Sequence, residues 1–183
     1  MTIVKVNGNS GVGKWTTAMV TASGQGNIDF TSIPSGVNII FVTLENLYKG
    51  SSNTNTVLQV GNSSGVLTTG YRERNLYANQ ANVAGGANFG AAAENRIGWV
   101  MSGEAAQGAT YKLNGTYKLF KIGTGNKWVC DWTAQSQINS YITIGGGERD
   151  VSSALDRVRL TSANGSATFT SGTVTIRYFR PWQ

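Results

Sequence analysis

The chain has 183 residues, of which 24 are Gly, 2 are Pro and 13% are charged, against background values of about 7% Gly and about 25% charged. So much Gly with so few charges excludes a coiled coil, a helical bundle and a charge-driven disordered chain, while 40% apolar residues supply the core of a single domain. His is absent and Cys130 is the one cysteine, which removes Ser/His/Asp and Cys/His catalytic units, His-based zinc sites, intrachain disulfides and Cys-x-x-Cys chemistry.

Short strands bounded by Gly, Asn and Ser fill the chain. Thr2 to Val6 alternates polar and apolar residues; Trp15 to Thr21 and Ile28 to Phe30 follow, with Gly24 and Gly26 between them. Ile33-Pro34-Ser35-Gly36 reads as a turn, because Pro presets φ and Gly supplies φ > 0. Val37 to Glu45 is then a buried strand, too short and too β-branched for a helix. Its greasiest part, Val37 to Leu44, is broken by Asn38 and Thr43 and falls far short of the ~20 residues that a bilayer demands. The residues after Met1 carry no charged-then-apolar leader, so a soluble chain without membrane insertion is expected. Val57 to Val60, Leu76 to Val83, Ile97 to Met101, Thr110 to Ile122, Lys127 to Trp132 and Tyr141 to Ile144 continue the series at the spacing of an all-β sandwich or barrel. Ala91 to Glu94 is the one helix candidate, and it lies in a Gly/Ala-rich stretch, Ala84 to Ala93, that reads better as a long loop suited to partner contacts. In the last quarter, Leu155, Val158 and Leu160 interleave with Arg157 and Arg159, and Val174, Ile176 and Tyr178 alternate with Thr173, Thr175 and Arg177. Asn164-Gly165 between them predicts a hairpin.

Several motifs resemble known chemistry and fall short of it. Gly8-Asn9-Ser10-Gly11-Val12-Gly13-Lys14-Trp15 comes within one residue of a phosphate-binding loop, but Trp15 stands where a hydroxyl must reach Mg²⁺, and a β sequence follows where a helix is needed. The nine carboxylates form no recognisable general acid/base pair. Glu148-Arg149-Asp150 after Gly145-Gly146-Gly147 reads as a charged loop tip before it reads as a cation site. Cys130, in a Trp-flanked strand, reads as a small buried hydrophobe, and the redox compartment stays open. Trp128 and Trp132 share a strand face roughly 13 Å apart at about 3.3 Å per residue. Aromatics so placed are able to stack on sugar rings, although filling a sandwich core is their commoner role. The net charge of +6 and pI near 9.6 invite a nucleic-acid reading. The 15 basic residues are dispersed, however, apart from a mild concentration at Arg149, Arg157, Arg159, Arg177 and Arg180, and no nucleic-acid partner is expected.

Three stretches carry a family resemblance. Ile28-Asp29-Phe30-Thr31-Ser32-Ile33-Pro34-Ser35-Gly36-Val37 resembles the "dFtsIPsgv" opening of phage and prophage tail-fibre and virion-surface proteins. Leu58-Gln59-Val60-Gly61 through Gly70-Tyr71 is similar to the "lQlG.s.Gv.ttGY" stretch that follows in those proteins. Gly147 to Tyr178, with Leu155-Asp156-Arg157-Val158-Arg159-Leu160-Thr161, Asn164-Gly165 and Phe169, resembles their "G..sl...LdrvRlTt.nGt.tF.sGtv.I.Y" ending. The resemblance spans about Ile28 to Tyr178. It implies a jelly-roll-like antiparallel β-sandwich on a virus particle, usually a homotrimer, with no catalytic residues and no cofactor. Here the final Tyr is followed by Phe179-Arg180-Pro181-Trp182-Gln183, an aromatic and basic tail.

The expected organisation is an N-terminal arm or additional strands over residues 1–27 and a jelly-roll-like sandwich over residues 28–183. Without heptads or an extended Gly repeat to build a fibre shaft, the expected role is a capsid decoration (cement) protein on the particle exterior, clamping neighbouring copies of a major capsid protein with summed modest contacts. The basic excess would suit an acidic shell. The alternatives are a tail-fibre or receptor-binding protein reading host glycans through loops such as Gly85 to Ala93, and a carbohydrate-binding module using Trp128 and Trp132. Open sheet edges and few charges favour burial against symmetry mates. Phe179, Arg180 and Trp182 are the candidate contacts for such an oligomer or for another partner.

Overall fold

The computed structural model describes residues 4–10, 13–50, 54–78, 98–101, 112–136 and 142–181. Among them every regular element is a strand: β1 (Val4–Ser10), β2 (Gly13–Thr21), β3 (Ile28–Phe30), β4 (Ile39–Lys49), β5 (Thr56–Asn62), β6 (Gly65–Val66), β7 (Arg72–Ala78), β8 (Trp99–Met101), β9 (Lys112–Ile122), β10 (Lys127–Ser136), β11 (Ile142–Asp150), β12 (Arg157–Ser162) and β13 (Phe169–Pro181). They form two antiparallel sheets packed face to face, a β-sandwich. The larger has eight strands in the order β1-β2-β13-β4-β9-β10-β11-β7, and the smaller has β3-β12-β5-β6 with β8 on the same side of β5 as β6.

Period-two burial explains the sandwich. Ala18 and Val20 of β2, Val174 and Ile176 of β13, Ile40, Val42 and Leu44 of β4, and Tyr117 and Leu119 of β9 point inward, against Ile28 and Phe30 of β3, Val158 and Leu160 of β12 and Leu58 and Val60 of β5. One contiguous core results. Residues 4–27 do not stand apart from it: β2 is hydrogen-bonded between β1 and β13, and Ala22 is buried.

The hairpin expected around Asn164-Gly165 does not form. β12 pairs with β3 and β5 in the small sheet, whereas β13 pairs with β2 and β4 in the large one. The turn itself is present: the Gly165 amide donates to Ser162 O at 3.0 Å, and Gly165 has φ of 69°. The chain then climbs between layers with the Ala167 amide donating to Ser162 Oγ at 3.2 Å. Alternation shows that one face of each strand is buried, but it does not choose the neighbour. A second correction concerns Glu148-Arg149-Asp150, expected at a loop tip after Gly145-Gly146-Gly147; neither triplet is in a loop. They continue β11, in register with β10 from Trp132↔Gly145 to Lys127↔Asp150.

The glycines of that run have a packing cause. Trp132 lays its indole over Gly145, and Trp99 lies over Gly147, where an added methyl carbon would sit 2.8 Å from Cδ1 and Nε1 of the ring. Two of the largest core side chains therefore fit because β11 has no side chains beneath them. The phosphate-loop look-alike also resolves into strands: β1 and β2 pair from Val4↔Met19 to Ser10↔Gly13. Gly13, at φ 154°, lies under the ring of Phe179, which would collide with any side chain there.

Candidate interaction surface

The large sheet has an outer face as well as an inner one. Successive registers carry one residue per strand across it in rows. From β2 to β7, one outward row reads Trp15, Phe179, Ile39, Phe120, Val129, Glu148, Arg72. The next reads Thr17, Arg177, Phe41, Lys118, Asp131, Gly146, Arg74, and a third reads Met19, Thr175, Thr43, Thr116, Thr133, Ile144, Leu76. Polar residues would complete an ordinary solvated face. Here apolar residues occupy both ends, with a ladder of four β-branched threonines between them.

At one end the rings of Trp15 and Phe41 stack at 5.8 Å, Phe179 lies 5.2 Å from Trp15, and Phe120 meets Phe41 edge-on at 6.3 Å. The Arg177 guanidinium covers Trp15 at 5.3 Å from the ring centroid. At the other end Leu76 and Ile144 are register partners beside Ile142. Relative exposures of 40% for Met19, 36% for Phe120, 41% for Ile122, 44% for Leu76, 48% for Ile142 and 54% for Ile144 mark this face as open. Its charges are largely settled within the chain. Lys118 and Asp131 pair at 3.6 Å, Arg72 donates to Glu148 at 2.9 Å, and Lys127 lies 3.4 Å from the same carboxylate. The Arg72 hydrogen bond, reinforced by Lys127, holds the Glu148 carboxyl below its ordinary range.

The residues singled out in the sequence are placed unevenly. Phe179 belongs to the aromatic cluster and Arg180 is exposed beside it at the end of β13, whereas Trp182 lies outside the described residues. Trp128 and Trp132 are each 1% exposed, on the inward face of β10. The glycan-stacking role for this pair is overturned, because the face they share is the one that the small sheet covers. The loop stretch from Ala84 to Ala93 and the helix candidate Ala91 to Glu94 lie outside the described residues. Cys130 is buried; burial, then the Asp131 carboxylate, push its thiol well above the ordinary range. Glu148, Arg149 and Asp150 make ion pairs and backbone contacts along β11, and among the described residues no group of three potential metal ligands gathers.

Sequence reading passed over Trp15, Phe41 and Phe120. A signal was present in Ile39-Ile40-Phe41-Val42, where apolar residues occupy both parities of a strand. Such a run belongs to a strand with two apolar faces, and in an outer layer one of them is left to solvent.

The small sheet shows a different kind of site, a set of long-range clasps. Asp29 of β3 accepts two hydrogen bonds from Arg159 of β12, at 2.7 and 3.0 Å, across 130 residues of chain. The Ile33 amide donates to Asp156 O, and the Asp156 amide to Gly61 O. The Tyr71 hydroxyl accepts from the Val60 amide at 2.7 Å and lies 3.0 Å from Leu67 O, where it has an acceptor for its proton. Burial pushes that phenol far up, against the lowering effect of Val60 and of Arg149.

Comparison with models of known protein families finds no match, and comparison with curated proteins finds none either. The resemblance to phage surface proteins rests on the quoted stretches alone.

Proposed function

We propose that this chain is a bacteriophage virion structural protein of the particle exterior, a jelly-roll capsid decoration protein that works as a homotrimer. One observation carries the reading. The stretches that resemble phage surface proteins are far apart in sequence, yet their marked residues are each other's structural partners: Asp29 with Arg159, Phe30 opposite Val158, Ile33 with Asp156, and Gly61 with Asp156. A chance likeness of separate peptides has no reason to converge on one set of clasps. The strand order adds support. With β1, β6, β7, β10 and β11 set aside as additions, the layers are β2-β13-β4-β9 and β3-β12-β5-β8, and the chain changes layer at every step except β5 to β8. Such an alternation is what a jelly roll, two Greek keys rolled into a double sheet, would require, and it supports that reading.

A decoration protein needs a rigid body, many copies and a modest contact repeated on each, so that avidity supplies the hold. The net charge of +6 complements an acidic shell and would speed encounter with it. Titration of the purified protein against empty capsids of the phage that encodes it should give saturable binding weakened by salt. Absence of saturable binding would overturn the role. Inhibition of cell adsorption by the free protein would instead move it to the tail.

A further inference from the structure

We infer that the outer face of the eight-stranded sheet is the surface on which a second copy of this chain packs. The inference rests on the proposed homo-oligomeric state and names its interface. Three features select the occupant. The first is composition: Trp15, Phe41, Phe120, Phe179, Met19 and Arg177 crowd one end of the face, and aromatic residues, Met and Arg are the types enriched in the cores of protein interfaces. The second is charge. Lys118, Asp131, Arg72, Glu148 and Lys127 are paired within the chain. A face whose charges are mostly matched within the chain is able to pack against another copy, in the heterologous contacts of a trimer ring, with little like-charge repulsion, whereas a face with unmatched charge would call for an oppositely charged protein. The third is size. The seven strands from β2 to β7, at about 4.8 Å per strand and about 3.3 Å per residue, present on the order of 700 Å², close to the roughly 800 Å² per partner of a standard interface.

A sugar or base is a poorer fit. The guanidinium of Arg177 already covers Trp15, the ring on which stacking would be strongest, and the aliphatic end at Leu76, Ile142 and Ile144 offers a polar ligand nothing.

Sedimentation of the full chain at micromolar concentration tests the inference. The wild type should sediment as an oligomer. Phe120→Glu combined with Ile144→Glu places one charge on the middle strand of the face and one toward its aliphatic end, and should weaken association by at least roughly tenfold, as loss of a central interface anchor does. Ser153→Glu, in an exposed loop away from the face, should leave association unchanged. Circular dichroism checks that each variant is folded, and if the double variant is not, Ile144→Glu alone decides, since that side chain is 54% exposed. A monomeric wild type, or variants that associate as the wild type does, would overturn the inference. A monomer that still saturated capsids would overturn this interface and leave the decoration role standing.

Discussion

Gly145→Ala probes the fit between β10 and β11. Gly145 is the register partner of Trp132, whose indole is 1% exposed and lies across it. An added methyl carbon would stand 2.7 Å from Trp132 Nε1 and closer still to Cε2 and Cζ2, where heavy atoms otherwise rest at about 3.5–4.0 Å. The ring has little room to retreat, because Tyr117, itself buried, lies 5.9 Å away between centroids. Overpacking of this kind costs about 1–3 kcal/mol, and the stiffer unfolded chain offsets about 0.4–1 kcal/mol of it. With contacts this short the cost falls at the high end, so a net loss of about 2 kcal/mol is expected, lowering Tm by about 4–8 °C for a chain of this length. The control is Gly146→Ala, where the methyl points to the outer face and its nearest neighbour is Cys130 O at 3.6 Å; its change should stay within about 0.5 kcal/mol. Urea titration and thermal melting of both variants give the comparison. Equal stability of the two alanine variants would refute the idea that the glycine run exists to seat the tryptophans.

Three more outcomes follow from the same geometry. Tyr71→Phe leaves the buried Val60 amide without its 2.7 Å acceptor and should cost about 1–3 kcal/mol in denaturant titration; a loss below a few tenths would mean that water replaces the hydroxyl. Glu148 is held below its ordinary carboxyl range by Arg72 and Lys127, so its stabilising contribution is complete above the unfolded value and fades as pH falls through the lower folded one. Glu148→Gln should therefore flatten the acid limb of stability against pH, and an unchanged acid limb would show that the pairs on β11 contribute nothing. Cys130 is buried with its thiol pushed up, so a thiol reagent should modify it only in denaturant. Fast labelling of the native protein would show that β10 opens.

What the sequence by itself determined is the material of the fold. β-branched and aromatic runs with period two place β2, β3, β4, β5, β9 and β10 close to where they are found, because strand propensity and one-sided burial are properties of a few neighbouring residues. The same local signals favoured Trp128 and Trp132 as core, and they marked Phe179 for contact without showing with what. Tertiary structure decided everything that depends on a distant partner. Asn164-Gly165 makes its turn, but whether the strands on either side pair with one another or with β3, β5, β2 and β4 depends on which edges the rest of the chain leaves open. Gly145 and Gly147 read as a loop until Trp132 and Trp99 are seen lying over them. Asp29 and Arg159 gain their meaning only across 130 residues. The aromatic cluster of the outer face, finally, exists only because four strands, β2, β13, β4 and β9, bring Trp15, Phe41, Phe120 and Phe179 into adjoining rows: a strand's alternation states that it has two sides, and only the assembled sheet states what lies on the second.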